Sequence, residues 1–274
     1  SLSFGFGMHS RKEETSLYFT DIDPGVNPEA RTNRNLELAK ARHLVIGYNN
    51  RLTKDLNLQI EAYYQDLYNI PVSSNPGSVY SSLNQEDAFQ RVPLVNEGTG
   101  ENYGIELTLE KFFSRSYFFL LTGTLFNSSY QTLSRIDFDT RYDAGYTLNL
   151  VAGKEFTLGN STKQKTLNIG LETVLGGGAK VTDIDLPASI AAGETVFVQG
   201  DPFGRQLKDY ARIDFQIALK TNIKGKTHEL RLDVQNLTSR QNLIGQRFSA
   251  TTNSIVNDSF TGEIIPVLSY KLTF

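Results

Sequence analysis

The chain has 274 residues, a formal net charge of −3, no cysteine and no tryptophan, yet 13 tyrosines and 17 phenylalanines. Disulfide frameworks and cysteine-ligated zinc are thereby excluded. The evenly spread charge lacks the basic footprint of a nucleic-acid binder, so no nucleic acid is expected as a partner.

The amino terminus, Ser1 to His9, has no basic stretch followed by an apolar core and reads as the start of a mature or truncated chain. No run approaches the roughly 18 apolar residues of a membrane-crossing helix. Strict alternation takes its place, and a period of two separates two faces of a strand. Leu56, Leu58, Ile60, Ala62 and Tyr64 alternate with Asn57, Gln59, Glu61, Tyr63 and Gln65. Tyr103, Ile105, Leu107 and Leu109 alternate with Gly104, Glu106, Thr108 and Glu110, and Leu167, Ile169 and Leu171 with Asn168, Gly170 and Glu172. Further on, Ile213, Phe215, Ile217 and Leu219 alternate with Arg212, Asp214, Gln216, Ala218 and Lys220, and Leu230, Leu232 and Val234 with Glu229, Arg231, Asp233 and Gln235. A mean hydropathy of −0.31 averages these faces and hides the apolar one.

The pattern predicts ten strands, over residues 1–9, 42–52, 56–70, 99–113, 115–131, 142–158, 164–178, 208–223, 227–238 and 262–274. Several exceed the five or six residues usual in soluble sheets and reach the roughly 9 to 11 that cross a bilayer obliquely. Their connections alternate. Thr53-Lys54-Asp55, Ser114 and Lys224-Gly225-Lys226 are tight hairpins, whereas 10–41, 71–98, 179–207 and 239–261 are long and rich in Asn, Ser, Pro, Gly and charge. Short turns at one end and long loops at the other are the pattern of an antiparallel transmembrane β-barrel, here with an even strand count. A soluble all-β binding module, its apolar face turned inward, is the bland alternative.

The closing strand sets Pro266, Leu268, Tyr270, Leu272 and Phe274 on one face. This ending resembles the terminal signature of outer-membrane proteins, and Tyr270, Leu272 and Phe274 are the expected signal to the barrel-assembly machinery. Two further stretches add to the resemblance. Asn96-Glu97-Gly98 followed by Tyr103-Gly104-Ile105-Glu106-Leu107 is similar to a strand of TonB-dependent receptors, entered from an asparagine-glycine loop. Leu232-Asp233-Val234-Gln235-Asn236-Leu237 is similar to their penultimate strand. The resemblance implies the carboxy-terminal part of a 22-strand barrel, spanning 1–274, with the plug domain and earlier strands lying elsewhere. It implies a non-enzymatic receptor in the outer membrane of a Gram-negative bacterium, importing a siderophore, cobalamin, an oligosaccharide or a peptide without a cofactor. The implied partners are outer-membrane lipid, the remainder of the receptor with its plug, the TonB energy-coupling protein reached through that remainder, and a surface lipoprotein.

For the ligand, the loop aromatics Tyr80, Phe89, Phe197 and Phe203 are the candidate contacts, since aromatics give rigid amphipathic surface. Glu106, Glu110, Arg212, Asp214, Arg231 and Asp233 are expected to face the lumen and to pair there as ions. A complete ten-strand outer-membrane hydrolase is the enzymatic alternative and would need a histidine base. His9 and His43 are its candidates, with His228 placed near an inner turn. Gly176-Gly177-Gly178-Ala179-Lys180 lacks P-loop spacing and reads as a flexible strand-to-loop junction, and Asp21, Asp23 and Asn27 are weak calcium candidates.

Overall fold

A computed structural model describes residues 1–19, 32–84, 92–159, 165–260 and 262–274. The strands are β1 (Leu2–Arg11), β2 (Ala39–Thr53), β3 (Leu56–Ser73), β4 (Leu94–Ser114), β5 (Tyr117–Gln131), β6 (Asp137–Asp139), β7 (Tyr146–Leu158) and β8 (Lys165–Gly176). They continue with β9 (Lys180–Val181), β10 (Arg205–Gln206), β11 (Tyr210–Ile223), β12 (Lys226–Gln235), β13 (Leu243–Ser249), β14 (Ser254–Ser259) and β15 (Ile265–Thr273). Two short helices, α1 (Thr15–Phe19) and α2 (Leu186–Ala192), lie in long connections.

Ten strands form one antiparallel sheet in the order β1-β2-β3-β4-β5-β7-β8-β11-β12-β15, with β6 paired to β5. Every long strand therefore pairs with its neighbours in this chain-order series, and the ten predicted strands are the ten of the sheet. Among the described residues the sheet stays open, with β1 and β15 at its edges. β9 pairs with β10, and β13 with β14, as separate small ribbons in the long connections.

The predicted middles of the strands hold, and the ends move outward. β3 runs to Ser73 and β4 begins at Leu94, so Asn96, Glu97 and Gly98 are strand residues where a loop was expected. The reason is pairing continued past the wall: Val72 faces Val95 and Ser73 faces Leu94 after register shifts near Ile70. The segment from 142 yields only from Tyr146, after the extra strand β6. At the other end the turns are tight. Arg115 and Ser116 (φ 51 and 64), then Lys224 and Gly225 (φ 49 and 78), lie in the left-handed region at both central positions. That backbone matches the right-handed twist of the strands it joins.

Directly opposed residues share a face of a sheet, so the register sorts the strands into two surfaces. Ile60 faces Leu107 and Tyr48, Leu121 faces Leu109 and Leu150, and Ile217 faces Ile169 and Leu232. This apolar face is exposed along most of its length, Phe4, Ile105 and Leu268 included. The opposite face carries Gln65 against Asn102, Asp214 against Glu172 and Gln216 against Asp233.

Glycines on this polar face accept rings. A Cβ on Gly104 would stand 2.8 Å from the Tyr63 hydroxyl and 2.6 Å from the Leu125 carbonyl oxygen, so the Tyr63 ring lies across the bare backbone. Gly153 gives its space to Phe118 in the same way. Gly177 and Gly178 are packed against the Ala144 and Leu207 carbonyls with no room for a Cβ, which corrects the expectation of a loose junction there. Close backbone approach is what this glycine pair supplies.

Fully buried side chains gather beyond the outer ends of the strands. Leu17, Val72, Tyr130 and Asn33 are at most 1 % exposed. The Tyr130 hydroxyl donates to the Val79 carbonyl (2.9 Å), and its ring meets Phe138 with centroids 5.6 Å apart. Asn33 donates to the Val92 carbonyl (3.1 Å) and accepts from the Leu94 amide (2.9 Å), standing in for a neighbouring strand at the start of β4. Other connections are tied together. Asp185 caps α2 by accepting from the Ala188 amide (3.0 Å), the Thr195 hydroxyl accepts from the Phe248 amide (3.0 Å), and Arg205 bonds both Asp183 and Gln246.

Candidate functional site on the polar face

The polar face of β2 to β5 holds a cleft of about 530 Å³, lined among others by Glu61, Tyr63, Gln65, Asn102, Glu106 and Tyr142. The alternation places them: Glu61, Tyr63 and Gln65 project from one face of β3, and Asn102 and Glu106 face them from β4. Glu61 stands directly opposite Glu106, an arrangement of like charges that disfavours the sheet unless a cation approaches. Among the described residues neither carboxylate has an ion-pair partner.

Above the two glutamates runs a hydrogen-bonded belt across the strands. Thr140 donates to the Ser128 hydroxyl (2.7 Å), Ser128 to the Asn102 amide oxygen (2.6 Å), Asn102 to the Gln65 oxygen (3.1 Å), and Gln65 reaches His43 Nδ1 at 3.4 Å. His43 in turn meets His9, the ring centroids 4.6 Å apart. No nucleophile or carboxylate is bonded to either histidine among the described residues. The belt continues at the rim, where Asp143 accepts from the Ser128 amide (3.2 Å). Burial, with Asp139 adding to it, holds the Asp143 carboxyl above the usual range, and Lys180 pairs with Asp139 (2.7 Å).

The six predicted charged residues all lie on the polar face by register, but not in one cluster. Glu106 belongs to the cleft; Glu110, two periods of the alternation further inward on that face, is unpaired among the described residues. The expected ion pairs form in part, at the other side of the sheet. Arg212 binds its own-strand neighbour Asp214 through Nε (2.8 Å) and Nη2 (2.6 Å), and Asp214 also accepts from the Asn236 amide (2.8 Å). Arg231 pairs with Glu229 (2.8 Å), joined by Lys220 (3.5 Å), while Asp233 accepts from Gln216 (2.8 Å). Residues two apart on one strand share a face, and that proximity decides the partners.

The loop aromatics are likewise dispersed. Tyr80 is half-buried, and its hydroxyl has no hydrogen-bond partner among the described residues; burial, then the nearby Glu13, pushes its pKa up. Phe197 is exposed in a bridge with Ile184, and Phe203 has a left-handed backbone (φ 58) with its amide donating to Thr182 (3.1 Å). Phe89, with Asp21, Asp23 and Asn27, lies outside the described residues. The cleft itself went unpredicted apart from Glu106. The facing positions of Glu61, Gln65 and Asn102 follow from the strand register, which alternation within single strands does not reveal.

At the inner end, Tyr270 and Leu272 lie on the apolar face in register with Leu230 and His228, and the Tyr270 hydroxyl is 2.6 Å from His228 Nδ1. Phe274 is exposed, and Lys226 Nζ sits 4.5 Å from its ring centroid.

No curated protein matches the chain. The sequence profile of TonB dependent receptor-like β-barrels matches residues 6–237, from β1 to just past β12, and so spans nine of the ten strands of the open sheet and its polar-face cleft. Two-faced strands, tight inner turns and long outer connections are what that barrel family requires, and the chain belongs to the TonB-dependent receptor-like β-barrel family.

Proposed function

We propose that the chain is wall of an outer-membrane receptor that takes up a scarce nutrient, with no catalytic role. One observation carries the reading. On β4 the apolar face is bounded by Lys111 inward and Glu101 outward, with only Tyr103, Ile105, Leu107 and Leu109 between them. Ten residue steps of about 3.3 Å make roughly 33 Å along the strand, or about 25 Å across a membrane at a tilt near 40°. That is the height of the apolar band on an outer-membrane barrel.

The unpaired edges of β1 and β15 support a larger barrel of about 22 strands, in which further strands of the same polypeptide complete the wall and a plug fills it. Glu61 and Glu106 would then meet a cationic group of that filling or of the passing solute. Solute contact falls to the outer loops, Tyr80, Phe89, Phe197 and Phe203 among them, and Tyr270, Leu272 and Phe274 would address the assembly machinery. TonB would act through the plug, and a surface lipoprotein would cap the loops. Siderophores, cobalamin, oligosaccharides and peptides are the candidate cargo classes.

The test is the intact mass of the polypeptide extracted from isolated outer membranes, read by denaturing mass spectrometry. A mass severalfold above the 30.6 kDa of this chain is expected. A mass near that value, or absence from the outer membrane, would overturn the larger-receptor reading.

A further inference from the structure

The charges on the apolar face are not symmetric between its two rims. The outer rim carries Lys40 and Arg42 together with the acids Asp66, Glu101 and, on β6, Asp137 and Asp139. Arg42 is neutralised by Asp66 (3.0 Å), and Glu101 accepts from the Tyr64 hydroxyl (3.0 Å). Along the inner rim the register puts Lys111, Lys154, Lys165 and Lys226 on the same apolar face, and no acidic residue accompanies them among the described strands. Between the rims that face holds no Asp, Glu, Lys or Arg.

A lysine projecting from a lipid-facing wall keeps its stem on apolar surface and carries its ammonium to the interface. Aromatic rings at the inner rim support this posture. Lys154 Nζ lies 5.0 Å from the Phe156 centroid and Lys226 Nζ 4.5 Å from that of Phe274. Lys111 is different, because its ammonium is consumed by the inner turn: it donates to the Ser114 hydroxyl (2.6 Å) and to the Phe112 and Ser114 carbonyls, over the Tyr117 ring at 4.0 Å. Lys154, Lys165 and Lys226 are exposed and have no acidic partner among the described residues.

We propose that the inner rim of this wall, at Lys154, Lys165 and Lys226, is a binding surface for anionic phospholipid, its ammonium groups meeting headgroup phosphates of the inner leaflet. The inference rests on the reading of this chain as membrane-spanning barrel wall. Charge complementarity selects the occupant: three unopposed cations at one interface attract a net-negative headgroup such as phosphatidylglycerol over a zwitterionic one, whereas the outer rim, where acids accompany Lys40 and Arg42, offers no such attraction.

Spin-labelled phosphatidylglycerol and phosphatidylcholine, each in vesicles holding the full polypeptide, test this directly through the relative association of each lipid with the protein surface. Attraction of roughly fivefold at one basic site, averaged round a whole perimeter, gives an expected preference of about twofold for the anionic lipid. It should fall toward one in 1 M salt, where the Debye length shrinks to about 3 Å, and in K154Q/K165Q/K226Q, while K40Q/R42Q keeps it. Heat-modifiable migration on a gel verifies that each variant is folded, and the salt arm uses the unaltered protein alone. Equal association of both lipids with the unaltered protein, or a preference lost in K40Q/R42Q and kept in the triple variant, would overturn the proposal. Absence of any motionally restricted lipid would instead overturn the membrane reading on which it rests.

Discussion

Arginine placed along the apolar face of β4 should report depth in the membrane. Leu107 lies four residue steps from Lys111 and Ile105 six, of the ten that separate Lys111 from Glu101. At about 3.3 Å per step and a tilt near 40°, these are roughly 10 and 15 Å from the inner rim of a 25 Å band, on either side of its midplane. Ile105→Arg and Leu107→Arg should each cost about 2–4 kcal/mol, while Leu109→Arg and Tyr103→Arg, nearer the rims, should cost about half as much or less. The expected loss at the midplane is a roughly 30- to 700-fold fall in the folding equilibrium. In water the same changes are nearly neutral, because Ile105 is 56 % and Leu107 37 % exposed in this fold and no core is opened. Denaturant titration of the full polypeptide in phosphatidylcholine vesicles, followed by tyrosine fluorescence, measures the profile. A flat profile, or a larger loss at Thr108 on the polar face than at Leu107, would refute the assignment of the faces.

Three further outcomes follow from the packing and the outer loops. Gly153→Ala should cost about 1–3 kcal/mol by driving a Cβ into the Phe118 ring, and in a double-mutant cycle Phe118→Ala should remove most of that penalty, since the ring supplies all three nearest atoms. Asn33→Ala strips the Val92 carbonyl and the buried Leu94 amide of their partners and should cost about 2 kcal/mol, seen as faster hydrogen exchange at Leu94 with the inner half of β4 unchanged. Because the folded-state pKa of Asp143 is raised by burial above its ordinary 3.8, the fold binds more protons there than the unfolded chain does. Loop stability should therefore fall as pH rises from about 4 through that raised value, and Asp143→Asn should flatten the dependence, as read by limited proteolysis across pH.

The middles of the strands were legible because a two-residue period survives wherever hydrocarbon lies on one side and polar groups on the other, as at Leu56 to Gln65. That constraint ends at the membrane rim. Beyond it β3 and β4 continue pairing through Val72 and Val95, apolar residues whose partners are loops, and no alternation announces where such a strand starts. Ion pairing was legible only in part: Arg212 pairs with Asp214, both among the expected residues, but Arg231 had acidic neighbours two places away on both sides, and only the cross-strand positions of Gln216 and Lys220 decide between Glu229 and Asp233. The Glu61–Glu106 opposition was illegible altogether, since the two residues are brought together by the registry of two strands whose loop is long. The loop aromatics could be nominated by type alone, and their separation into different connections depends on contacts such as Thr182 with Phe203 that carry no sequence period.

The buried cluster around Leu17, Val72 and Tyr130 gives the outer connections an interior of their own, fastened by Asn33, and the Thr195 and Arg205 contacts join two more of them. Segments already held in place surrender little conformational freedom when a solute arrives, so more of the contact energy is retained as affinity. The same rigidity favours slow release over wide tolerance, and a mouth built this way suits capture from dilute surroundings.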